Sequence, residues 1–286
     1  MKRILVPTDF SEVSQHALNF AVDLARFNGA EVHVIHFVEI ATEDITLVTA
    51  DTQVVGTTEE SLYNVQLMRS NKRKLEEISA TLTEDNLTVE AHMSGGGFSK
   101  GLPHYVKKYG VDMVVIGTSG EENLQEFFSG NHTEQLIEHV NVPIVSLQFP
   151  TKFSDIKRIV LAVDSINEQY SPSVITKMSE VLSGFNAEVV MVDVIDAKDS
   201  VVAEADRRLK EIGEEFGLVD DQVHILRSKE VVQGLHEFTN DVNAQMVAVL
   251  SAARGGLFRF IQHSLATSLT KDADYPILTL NKRFYE

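Results

Sequence analysis

The sequence predicts an α/β fold: two doubly wound parallel sheets in tandem, at residues 1–150 and 151–286. Three observations predict it. Short, nearly continuous runs rich in Val and Ile recur along the chain, as in parallel strands covered on both faces. Segments with helical spacing of apolar residues separate them, which is the grammar of βαβ units. Four blocks of the first half also return in the second half in the same order. "KRILVPTDFS" at 2–11 is echoed by "KRIVLAVDSI" at 157–166, and "GAEVHVIHFVE" at 29–39 by "NAEVVMVDVID" at 186–196. "VDMVVIGTSG" at 111–120 returns as "NAQMVAVLSA" at 243–252, and "VPIVSL" at 142–147 as "YPILTL" at 275–280. The boundary falls near "QFPTKFSD", 148–155.

The first strand, "RILVPT", runs into "SEVSQHALNFAVDLARFNG", where Val13, Ala17, Phe20, Ala21 and Leu24 share one helical face. Ser11 is a suitable N-cap and Gly29 a suitable stop. "EVHVIHFV" is the second strand. The offset between matched blocks then shrinks from 157 residues (29 against 186) to 133 (142 against 275), so the first half carries 24 extra residues. These are expected at 41–64 as an exposed loop or extended arm before the helix "VQLMRSNKRKLEEISATL". "MSGGGFSKG", 93–101, reads as a flexible turn between the third strand and its helix. It does not follow the first strand, as the glycine loop of an ATP pyrophosphatase would, but it too borders the strand ends. "MVVIG" and "PIVSL" complete the half.

Composition narrows the function. No apolar run approaches the roughly 20 residues of a membrane span, and the chain enters a strand pattern at once, so a cytoplasmic protein is expected. The absence of cysteine excludes disulfides and thiolate chemistry. A net charge of −17 disfavours nucleic acid and anionic membranes as partners.

The stretch "VIGTSGEENLQEFFSGN", 115–131, carries the chemistry. Gly117 ends a strand, where a missing side chain would let a ligand approach the backbone. Gly120 lies in the next turn. Gly130 precedes a helical segment, "NHTEQLIEHV", whose first amides have no partner within the helix and can hold an anion. Asn131 or Thr133 can cap that helix or aim a donor at an oxygen.

At these residues the chain resembles the universal stress proteins in their tandem form, through nearly its whole length. Nucleotide-binding members carry Gly, two residues, Gly, nine residues, Gly and then Ser or Thr. Gly117, Gly120 and Gly130 keep that spacing, and Asn131 replaces the hydroxyl residue with an amide that can still donate. "VPTDFS" looks like the family's first strand, whose aspartate, here Asp9, sits at the adenosine end of the pocket. "HFV" resembles the end of its second strand and implies backbone contact from Phe37 to adenine. The resemblance thus implies a Rossmann-like, adenine nucleotide alpha hydrolase-like fold. It also implies a site holding ATP or AMP, with or without Mg²⁺. Pro7, Thr8 and Asp9 would form one wall of that site, Phe37, Ile116 and Gly117 another. Gly120, Gly130, Asn131, His132 and Thr133 would form the phosphate end. The last strands of the two halves would pair across a pseudo-twofold axis, an intramolecular pseudo-dimer that leaves homodimerisation open. Glu121, Glu122 and Glu126 would each repel phosphate by on the order of 1 kcal/mol at about 4 Å in water-like dielectric, unless Mg²⁺ or an outward orientation intervenes.

In the second half Leu250, Ala253 and His263 stand where the glycines stood, and Ser264 stands for Asn131. No nucleotide is expected there, although Arg254 and Arg259 could attract an anion. Asp164 then reads as a leftover capping or turn residue. His33 and His36, an odd number apart in one strand, face opposite sides of the sheet and cannot share an ion. His132 and His139 lack a completing ligand, so no metal site is expected. Ser11, Ser14 and His16 are neighbours in sequence without catalytic geometry. Asp9 could orient water for slow hydrolysis at most. The expected function is therefore a stress-response protein that binds an adenine nucleotide and an unidentified protein partner, as at most a slow ATPase. The rival is a nucleotide-free scaffold that uses residues 41–64.

Overall fold

A computed structural model describes residues 1–38, 59–83, 87–95, 98–118, 140, 142–166, 170–196, 199–251 and 275–281. In the first half β1 (Arg3–Pro7), α1 (Glu12–Asn28), β2 (Glu31–Val38), α2 (Glu59–Leu82) and β3 (Val89–Gly95) are followed by α3 (Phe98–Tyr109), β4 (Met113–Gly117) and β5 (Ile144–Leu147). The second half repeats the succession as β6 (Arg158–Ala162), α4 (Pro172–Ser183), β7 (Glu188–Ile195) and α5 (Asp199–Glu215). It continues through β8 (Val223–Arg227), α6 (Val231–Asp241), β9 (Met246–Ser251) and β10 (Ile277–Asn281).

The strands form one sheet in the order β3-β2-β1-β4-β5-β10-β9-β6-β7-β8. All neighbours are parallel except β5 and β10, which pair antiparallel with Leu278 opposite Val145. The end strands of the two halves thus meet as the resemblance implied.

Alternation along each strand divides the core. Ile4, Val6, Val32 and Val34 face α1 and α2, whereas Leu5 and Ile35 lie with Leu102, Tyr105 and Val106 of α3. The first of these cores runs across both halves, taking in Val145, Leu147, Leu278 and Leu280 at the junction. Phe153, in the connecting segment, lies edge-on to Phe20 at 6.0 Å and also touches Phe27 and Phe185. Among the described residues no helix is long and apolar enough to cross a membrane.

Helix α1 has the caps its sequence announces. Ser11 Oγ accepts from the Ser14 amide, and Gly29 stops the helix at φ 64°. Ala17, Phe20, Ala21 and Leu24 are fully buried, and Val13 only half. Two expectations need correction. Residues 59–64, assigned to an extended insertion, belong to the first turns of α2, while 41–58 lies outside the described residues. Residues 93–95 and 98–101 of the supposed flexible turn continue β3 and begin α3.

Candidate functional site

The order of strands reverses between β1 and β4: from β1 the chain steps outward to β2 and β3, then returns to the other side. In open α/β sheets the crevice outside the carboxyl ends of the strands, at such a reversal, is where ligands bind. Pro7, Thr8 and Asp9 leave β1 here, and Phe37 lies at the end of β2. Ile116 and Gly117 close β4, so six of the predicted residues share one edge of three adjacent strands. Gly120, Gly130, Asn131, His132 and Thr133 lie outside the described residues, as do Glu121, Glu122, Glu126 and His139.

The turn after β1 is fixed by its own polar groups. The Thr8 amide donates to the Ile35 carbonyl at 2.8 Å, extending the ladder one residue past the strand. Thr8 Oγ1 accepts from the Phe10 amide at 3.0 Å and lies 3.0 Å from Ser14 Oγ. Asp9 Oδ1 accepts from the Ser11 amide at 2.9 Å. The Asp9 carboxylate therefore stays at the surface with acceptor capacity to spare. Burial pushes its pKa up, but hydrogen bonds from Ser11 and Ser14 more than offset this and hold it below the ordinary value.

Phe10 was not singled out by sequence. Its φ is 66°, a left-handed conformation that is an outlier for a bulky residue, and such strain gathers at ligand clamps and active sites. Its ring centroid is 4.7 Å from that of His36, and Lys74 Nζ of α2 lies 4.8 Å from the centre of the Phe10 ring. His36 in turn bridges the Thr8 carbonyl, 2.7 Å from Nδ1, and Asn71 Nδ2, 3.0 Å from Nε2. No local signal marks Phe10, His36 and Asn71 as a group, because three separate elements supply them.

Gly117 needs its small size for a different reason from the one expected. A Cβ there would stand 2.4 Å from the Val13 carbonyl oxygen and 2.9 Å from the Ser14 nitrogen. The space beside it is taken by the first turn of α1, so the glycine lets helix and strand meet. Phe37 shows the same economy at Gly101 of α3, where a Cβ would fall 2.4 Å from Phe37 Cε1. Its ring also meets Phe98 edge-on at 5.4 Å, which pins the end of β2 beneath α3.

The matching corner of the second half is built differently. Asp193 stands where His36 does, and Ser165 where Phe10 does. The buried Ser165 donates to Asp193 Oδ2 from its amide at 2.9 Å and its hydroxyl at 2.5 Å. Burial pushes the Asp193 carboxyl up, more than the Ser165 hydrogen bonds pull it down, and the Asp164 charge adds to the rise. Asp164 is a turn residue rather than a cap, its amide donating to the Tyr170 hydroxyl at 3.0 Å. Ser171 caps α4. Ala253, His263 and Ser264 lie outside the described residues.

Comparison with known proteins agrees with this architecture. The universal stress protein MJ0531 of Methanocaldococcus jannaschii is 25% identical over 154 residues, 53% of this chain and 84% of that protein. MJ0577, a universal stress protein of the same organism, is 28% identical over 150 residues, 50% of this chain and 93% of that protein. The crystal structure of a universal stress protein from Archaeoglobus fulgidus superposes with a TM-score of 0.68 at 16% identity, covering 98% of this chain and 96% of its own. That likeness shows that both halves share the fold. The profile of the universal stress protein family matches residues 1–147, more than half of the sequence, and the chain belongs to that family.

Proposed function

We propose that the first half, as a domain of residues 1–150, binds an adenine nucleotide, ATP or AMP with or without Mg²⁺. It would do so in the crevice at the ends of β1, β2 and β4. The protein then acts as a cytoplasmic stress-response protein whose occupancy is sensed by a protein partner, with hydrolysis slow or absent. The observation that supports this best is the corner at Thr8–Ser11. There a strained Phe10 and the Ser11 amide hold an ionised Asp9 at the switch point, where a ribose hydroxyl can donate to it. The phosphates fall to the loop from Gly117 to Asn131, through amides and the Gly130 helix start. The second half, residues 151–286, is proposed to hold no nucleotide, because Ser165 and Asp193 satisfy each other beneath the equivalent corner.

Mass spectrometry of small molecules released from freshly purified, gently denatured protein identifies a carried ligand, and calorimetry with ATP and AMP measures affinity. Gly120→Val abolishes binding without unfolding the protein; unchanged affinity would remove the loop from the site. No heat with either nucleotide at millimolar concentration would favour the scaffold reading.

A further inference from the structure

We infer that His33, Glu90 and His92 form a binding site for one divalent transition-metal ion of the zinc class. It is independent of the nucleotide crevice. The cluster lies toward the amino-terminal ends of β2 and β3, and four residues of strand, about 13 Å, separate His33 from Phe37.

The register of β2 against β3 places His33 opposite Glu90 and Ile35 opposite His92. Because side chains alternate, all four lie on the face that α3 covers. The two imidazoles stack with centroids 5.3 Å apart, and Tyr105 and Tyr109 of α3 close over them. His33 is only 2% exposed. One ligand atom from each of His33, Glu90 and His92 can be chosen so that none is more than 4.8 Å from another.

The polar groups are arranged for a cation. His92 Nε2 is buried without a hydrogen-bond partner, although Glu90 Oε2 is only 3.3 Å away. His33 Nε2 is 3.9 Å from the same carboxylate oxygen and hydrogen-bonded to Glu31 Oε1 at 3.3 Å. On the far side of the ring, His33 Nδ1 lies 2.9 Å from the Tyr105 hydroxyl. When Nδ1 carries the proton and donates to that hydroxyl, Nε2 gives up its hydrogen bond to Glu31 and offers its lone pair to the metal. Ligand atoms around tetrahedral zinc stand about 3.3 Å apart, as bonds of 2.0–2.1 Å to nitrogen and oxygen require. Glu90 Oε2 already stands 3.3 and 3.9 Å from the two histidine nitrogens, and a small turn of the partly exposed His92 ring brings the imidazole nitrogens, within 4.8 Å of each other, to the same spacing. Glu31 keeps its ion pair with Arg3 when His33 turns to the metal, and water completes the fourth position. Two imidazoles and one carboxylate suit zinc, cobalt, nickel or copper, and not magnesium, which prefers oxygen.

Isothermal titration of the full chain with Zn²⁺, after treatment with chelator, tests the site. The expected result is one high-affinity ion per chain, a raised Tm when zinc is about 100-fold above Kd, and no competition by excess Mg²⁺. Co²⁺ gives the visible absorption of a four-coordinate ion. Glu90→Gln and His92→Gln, on the edge strand and partly exposed, each weaken zinc by at least ~100-fold, while Tm in chelator matches the parent. Either variant that folds suffices. Equal zinc binding by parent and variants would assign the ion to other histidines and overturn the site, as would failure of the parent to bind.

Discussion

A single methyl group at Gly117 would meet the backbone of α1, which cannot rotate away as a side chain can. Gly117→Ala therefore costs about 2–3 kcal/mol, read as a lower urea midpoint, whether or not ligand is present. Asp9 behaves otherwise. Asp9→Asn leaves the turn in place but removes a charged acceptor, so nucleotide affinity falls ~10-fold with little change in urea midpoint. At Asp193 the sign of the pH effect follows from burial. Its folded pKa is raised, so its favourable contribution is complete below the unfolded value of 3.8 and is lost as pH rises through the folded value. Asp193→Asn should raise Tm near neutral pH and leave it unchanged near pH 3. Melts with a pH-independent difference would refute this. The sequence names Asp9 and Gly117 because an aspartate after a strand and a glycine at a strand end are local marks. It cannot name Phe10, whose left-handed backbone is imposed by the corner around it. Nor does it show His92 beside His33, since that meeting depends on how two distant strands slide into register.

Whole elements were more legible than their contacts. α1 is readable end to end, because Ser11 and Gly29 act through bonds within a turn of themselves. Ser11→Ala should cost ~1 kcal/mol in urea denaturation through loss of the cap, while the backbone amide of residue 11, which alanine keeps, still donates to Asp9. The buried strands β1, β2 and β4 announced themselves through unbroken apolar runs. β3 did not: as the outermost strand of the half it carries Glu90, His92 and Ser94 among its seven residues, and only Val89 is deeply buried among its side chains. The start of α2 was missed for a related reason. Thr- and Val-containing sequence before it reads as extended, whereas residues 59–64 are the first turns of a helix that runs on to Leu82.

At the scale of the molecule, the two halves share a core as well as a sheet. Since Val145 and Leu147 lie in the same apolar body as Leu278, Ile159 and Met178, heating should give one transition, seen alike by far-UV circular dichroism and tyrosine fluorescence. Residues 1–150 expressed alone would bare the β5 edge and should self-associate, a mass to be read by analytical ultracentrifugation. The tandem architecture was visible in the repeated blocks. Their closure into one continuous sheet followed from the resemblance, because a repeat does not say which edges join. The seam has one more effect. Where β5 meets β10 the direction of the backbone turns about, so the two halves present their strand tips to opposite rims of the sheet. A molecule seated on one rim has no line of sight to the other. Any message between them must cross the seam or the apolar body it shares with Phe153, so the two rims can carry different chemistry.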